Sequence, residues 1–394
     1  METAAFKSDG IDRRLLASMH AGFILTGITT TMVGPLLPGF SSRWALNDAQ
    51  AGNLFTAQFL GSMAGVGLSG LLAHRRGYKF PITLGLVTMG FAALALLGDS
   101  WMIGLVAFFL NGVGLGLVIP STNLLMASAN PHRSSAALNL LNFSWGLGAA
   151  VCPLLIAQLI RSGGRTLFFF LLAAMAGVVA MAFIFTPSPN QHHGIDLPHA
   201  TPTSSANPLQ SMLQLGALFF LYLGTESSIS GWIASYARRM NVETGTLWII
   251  SPAFFWGAIL VGRALAPLLL RKFAAIDLAR IGMVLSLLGI GILLQATTPI
   301  GAVLGATLGG LGLAPVYPIT IAMLSQDFGS ASSRKSGLLF ALAGLGGATI
   351  PWIVGVVSTH FASLKVGLLV PLFCDCLVIA LYFTRQRTVL AESP

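Results

Sequence analysis

What most constrains this chain is a rhythm of apolar runs, each about twenty residues long, repeated from one end to the other. Twelve can be counted, at 14–40, 46–73, 80–98, 101–128, 134–161, 165–186, 209–237, 245–270, 276–296, 299–325, 333–359 and 364–384. A helix of that length crosses the hydrocarbon core of a bilayer. The runs are continuously apolar rather than alternating, which argues against a barrel. Only 8% of the residues are charged and 55% are apolar. A soluble domain carries about 25% charged residues, so this chain cannot cover a water-facing surface. The expected class is an all-α integral membrane protein of twelve transmembrane helices, with the lipid bilayer as its first partner.

The net charge of +9 invites a nucleic-acid reading, but the placement of the basic residues argues otherwise. With the N-terminus inside, 14 basic residues fall in inner loops and tails, among them Arg13, Arg14, Arg75, Arg76 and Lys79. Only 6 fall outside, including Arg43, Arg238 and Arg239. This positive-inside bias predicts that both termini are cytoplasmic, in a cell (inner) membrane. No nucleic-acid partner is expected. No cleavable signal peptide is expected either, since Lys7 to Arg14 is a short polar lead before a run long enough to span. Cys152, Cys374 and Cys376 lie inside apolar runs without a disulfide or zinc pattern.

Residues 187–208, rich in Pro, Ser, Asn and His, have the composition of a linker. Three histidines there lack an ordered scaffold for a metal. The linker divides the chain into residues 1–186 and 209–394, each with six runs. The halves are repeats. At an offset of 198 residues, LNGVGLGLVIP (110–120) falls on LGGLGLAPVYP (308–318), and GLGAAVCP (146–153) falls on GLGGATIP (344–351). Over 110–153 the register is ungapped, with 16 of 44 positions identical. The repeated glycines, Gly112 with Gly310, Gly146 with Gly344 and Gly148 with Gly346, are expected to let helices approach closely where lipid offers no hydrophobic drive to associate. Pro120, Pro153, Pro318 and Pro351 are expected to free carbonyls and soften their helices. Two six-helix bundles that pack closely yet bend suit a secondary transporter.

Twelve spans, a six-plus-six repeat and a polar central linker resemble the major facilitator superfamily. GLLAHRRGYK (70–79) resembles its Gly-x-x-x-Asp-Arg-x-Gly-Arg-Lys loop, with His74 and Tyr78 departing from the pattern. HAGFILTGITTTMVGPLLP (20–38), LNLLNFSWGLGAAVCP (138–153) and YLGTESSISGWIASY (222–236) resemble the fucose/glucose/galactose permease group. The resemblance implies sugar uptake coupled to an ion, through a cavity lined by spans 1, 4, 7 and 10. The fucose permease pattern has carboxylates in spans 1 and 4. Here span 1 has none after Asp12, and span 4 offers Asn111 and Asn123.

Only two acids, Glu226 and Asp375, lie well inside a span. Intramembrane carboxylates are costly and default to function. Tyr222, Glu226 and Ser230 share one helical face in span 7, which makes Glu226 a candidate for substrate binding and ion coupling. Asp375, in span 12, is expected to be structural or neutral. His20 could couple protons or make an interhelical hydrogen bond. Asn139 and Asn142 share a face in span 5 and offer amide donors and acceptors of the kind that sugar hydroxyls require. They serve equally as interhelical links. Trp145, Trp232, Trp256 and Tyr317 are candidates to stack on a sugar ring. Arg75 and Arg76 belong to the loop motif. Arg263, alone among basic residues inside a span, resembles the superfamily's gating arginine.

The expected function is a secondary transporter of a small polar solute, a monosaccharide above all, by alternating access with proton or sodium symport. The alternative is a drug or metabolite efflux carrier that exchanges protons. A receptor or scaffold has no extra domain to support it. No phosphate loop, nucleophile–base pair or metal cluster points to an enzyme. No cofactor beyond a coupling ion is expected, and the chain is expected to work as a monomer.

Overall fold

The computed structural model describes residues 12–130, 134–186, 208–240, 245–328 and 332–384. Most of the linker, with its three histidines, lies outside them. The first half holds α1 (Arg13–Thr31), α2 (Val33–Arg43), α3 (Asp48–Arg76), α4 (Lys79–Ala95), α5 (Trp101–Ala129) and α6 (Ser134–Phe185). The second holds α7 (Pro208–Arg238), α8 (Leu247–Leu269), α9 (Ala275–Gln295), α10 (Pro299–Leu313), α11 (Val316–Phe328), α12 (Ser332–His360), α13 (Leu364–Gly367) and α14 (Leu369–Thr384). Among the described residues there is no strand. Among the described residues, nine spans are long and apolar enough to cross a membrane, and α1 with α2, bent by 42°, makes a tenth. The other two apolar runs are helical as well. α4 is short at 17 residues, and α7, at 31, is long but carries the polar face read from the sequence.

Each break has a local cause. Gly164, at φ 69°, splits α6 into Ser134–Ser162 and Gly164–Phe185, in a backbone conformation that glycine adopts freely. The bend at Met32 precedes Pro35, which has no N–H to donate. Side chains satisfy carbonyls there. Gln58 Nε2 donates to Thr30 O at 3.0 Å, and Asn111 Nδ2 donates to Thr29 O at 3.2 Å. By contrast, α5, α6 and α12 run on through Pro120, Pro153 and Pro351. None of these three prolines therefore marks a break.

The repeated glycines sit at equivalent crossings. A Cβ on Gly148 would lie 2.1 Å from Ile24 O of α1, and one on Gly346 would lie 1.9 Å from Phe220 O of α7. Gly112 meets Gln58 of α3, as Gly310 meets Phe255 of α8. Gly146 and Gly344 face the opposite half instead, where a Cβ would lie 2.7 Å from Leu260 of α8 and 3.0 Å from Met63 of α3. The one repeat thus packs each half internally and also joins the two.

Contacts across the halves gather at the end remote from the termini. Arg239 donates to Asp48 Oδ2 at 2.8 Å, and Ser358 Oγ donates to the same carboxylate. Thr359 Oγ1 accepts from Ala49 N at 2.9 Å, and Thr56 Oγ1 donates to Ala348 O at 2.7 Å. Beyond Met63, toward the end that carries the termini, α3 leaves Val66, Leu68 and Leu71 exposed.

Candidate functional site

The site grows from one face of α7. Four residues separate Tyr222 from Glu226, just over one helical turn, so their side chains stand one above the other. Tyr222 Oη donates to Glu226 Oε1 at 2.8 Å. Ser230, one turn further, donates instead to the Glu226 backbone carbonyl at 2.8 Å. From α8, Arg263 Nη2 reaches Glu226 Oε1 at 3.3 Å and Tyr222 Oη at 3.5 Å. From α11, Tyr317 stacks on Tyr222 with ring centroids 5.6 Å apart, and Phe219 meets Tyr317 edge-on at 5.8 Å. The acid, the guanidinium and the two phenols thus come from three helices onto one spot.

Burial makes this pairing consequential. The Glu226 side chain is 6% exposed and that of Arg263 28% exposed. A lone charge at this depth is costly, and the opposite charge with its hydrogen bonds offsets that cost. Arg263 Nε and Thr225 Oγ1 are buried without a hydrogen-bond partner. The cluster therefore holds one unused donor, Arg263 Nε, beside a carboxylate and two aromatic faces. Such a surface can accept from and donate to a polyol while covering its apolar side.

The other candidates are spread over the halves. His20 Nδ1 lies 2.8 Å from Ser144 Oγ and joins α1 to α6. Trp232 is fully buried, donates through Nε1 to Pro351 O at 3.0 Å, and packs on Phe55 of the other half. Trp145 of α6 meets Trp256 of α8 edge-on at 5.4 Å, a second link across the halves. Asn123 of α5 is half-buried, with Oδ1 unpartnered. Asn139 and Asn142 are exposed, and Asn142 donates to Leu138 O of its own helix. Arg75 and Arg76 are exposed at the end of α3, where Arg76 lies 4.6 Å over the Phe80 ring. None of these joins the Glu226 cluster.

Sequence reasoning missed Gln58, Asp48 and Arg239. Gln58 sits inside an apolar run, which was a usable signal. Asp48 and Arg239 sit at run ends, where charge is ordinary.

The Major Facilitator Superfamily pattern matches residues 19–351. The glucose/mannose transporter GlcP of Bacillus subtilis is 25% identical, covering 85% of this chain and 86% of its own. The multidrug efflux protein YfmO of the same organism is 26% identical, covering 84% and 83%. Among solved structures, the xylose transporter XylE of E. coli in an inward open conformation has a TM-score of 0.75 at 13% identity, covering 96% of this chain and 97% of its own. The E. coli fucose:proton symporter FucP has a TM-score of 0.62 at 19% identity, covering 95% and 98%. With a family pattern over most of its length and that family's helical fold, the chain belongs to the Major Facilitator Superfamily and is a multi-pass membrane transporter, not an enzyme.

Proposed function

We propose that the chain carries a monosaccharide across a cell membrane by alternating access, with a proton as the coupling ion. The observation that carries this reading is the buried Tyr222–Glu226–Arg263–Tyr317 cluster. It combines a carboxylate acceptor, guanidinium and phenol donors and stacked rings, the groups a pyranose needs. The sugar transporters among the relatives support the substrate class.

In this reading the six-helix bundles before and after the linker rock about the cluster, and the chain acts as a monomer. Both termini are cytoplasmic on the distribution of basic residues. The Asp48–Arg239 end is then external and closed. Protonation of Glu226 releases Arg263, so charge at the cluster changes with the state of the carrier. The ion drives accumulation only if it favours the conformation that also binds sugar.

A thermal-shift screen of purified protein against hexoses, pentoses and amphiphilic cations tests the substrate class. Stabilisation follows mass action, so a rise with one hexose and none with the cations is the expected result. Stabilisation by the cations alone would establish the efflux reading, which the likeness to YfmO favours. Glu226→Gln is expected to abolish proton-driven accumulation in proteoliposomes while sparing counterflow. Undiminished accumulation would rule out coupling at Glu226.

A further inference from the structure

The central cluster leaves one intramembrane acid unexplained. Asp375 lies near the middle of the last span, on α14, and Ser286 lies near the middle of α9; both are 0% exposed. The Ser286 side chain faces the Asp375 carboxyl. Both carboxyl oxygens and Ser286 Oγ lack a hydrogen-bond partner among the described residues. Ser286 is also packed tightly against α10, for a Cβ on Gly312 would stand 2.4 Å from Ser286 N.

Among the described residues, no counter-charge reaches this acid. Of the helices packed against α14, α7 brings Glu226, which is paired with Arg263. α9 brings Asp277 and Arg280, which pair with each other at 3.4 Å. Ser286 is six residues beyond Arg280, about 9 Å along the helix. α12 brings His360 and α13 brings Lys365, both at the far end of the span. From α11, Thr320 bonds Tyr382 Oη at 2.7 Å. Cys374 and Cys376 flank the acid on its own helix. An ionised carboxylate sealed here would have at most one neutral hydroxyl, that of Ser286, and no cation, which no buried charge tolerates cheaply.

We propose that Asp375 is a proton-binding site, separate from the Glu226–Arg263 pair. One proton converts the carboxylate to a carboxyl, whose O–H and C=O can exchange hydrogen bonds with the Ser286 hydroxyl without a buried charge. The two buried acids are thus neutralised differently, Glu226 by a guanidinium and Asp375 by a proton. Charged groups flank the seam at the end that carries the termini. Tyr382 lies on the same face of α14, seven residues on, or about 10 Å. Its carbonyl accepts from Arg280 at 3.0 Å, beside Asp277 at the end that carries the termini. This assignment does not depend on which solute is carried.

Infrared difference spectroscopy on the full chain in nanodiscs at neutral pH tests the proposal. A protonated-carboxyl band is expected that disappears in Asp375→Asn, shifts in Ser286→Ala and persists in Glu226→Gln. Asp375→Asn, isosteric with the neutral acid, is expected to melt with the wild type. If it fails to fold, Ser286→Ala decides: a shifted band supports the assignment and an unmoved one overturns it. Absence of the band in the wild type, its loss in Glu226→Gln, or its loss on adding sodium would each overturn the proposal, the last in favour of a metal cation.

Discussion

At the residue scale, Glu226 and Arg263 are each tolerable because of the other. Glu226→Gln keeps the shape but strands a guanidinium. Breaking a buried pair from one side costs about 3–5 kcal/mol, and the 28% exposure of Arg263 places this case at the low end. Adding Arg263→Met to Glu226→Gln is expected to restore part of the loss, with a coupling of about 1–3 kcal/mol in a double-mutant cycle on melting curves. Strict additivity of the two losses would show that the pair does not interact. Trp232→Phe is a smaller perturbation. It removes the bond to Pro351 O, worth about 0.6–2 kcal/mol between membrane helices, and leaves part of the indole volume empty, which adds to the cost.

At the element scale, crossings depend on the absence of side chains. Gly148→Ala and Gly346→Ala would put a methyl within 2.1 Å and 1.9 Å of a backbone oxygen. Backbone cannot yield as a flexible side chain can, so both are expected to cut folded yield sharply in detergent size-exclusion profiles. Gly70→Ala and Gly291→Ala meet nothing within 4 Å. Those two are expected to be neutral or to gain up to about 1 kcal/mol from helix propensity. Equal yields for all four would remove the packing argument. The bend between α1 and α2 works differently, since amides from Gln58 and Asn111 take up carbonyls beside it.

At the scale of the whole molecule, the halves are held together by few directional contacts at one end. Asp48 collects Arg239 and Ser358 from the other half, and its side chain is 11% exposed. Asp48→Asn removes the charge that holds Arg239 and is expected to populate a conformer open at that end. Spin labels on Ser42 and Phe361, one on each half, should then show a longer distance component in pulsed dipolar spectra. A distribution identical to that of the wild type would mean that apolar packing alone keeps this end shut.

The sequence by itself determined the membrane, the helices and the repeat, because each rests on composition or period. Lipid demands long apolar helices, and a register of 198 residues can be read without any coordinates. It also singled out Glu226, Tyr222, Arg263 and Tyr317, since polarity inside an apolar run is visible one residue at a time. Their convergence was decided only by the tertiary structure, which brings 222, 226, 263 and 317 from three helices onto one spot. The same holds for Asp48, whose partners are 191 and 310 residues away. Period and composition are local properties, whereas a buried charge takes its partner from whichever helix packing sets against it.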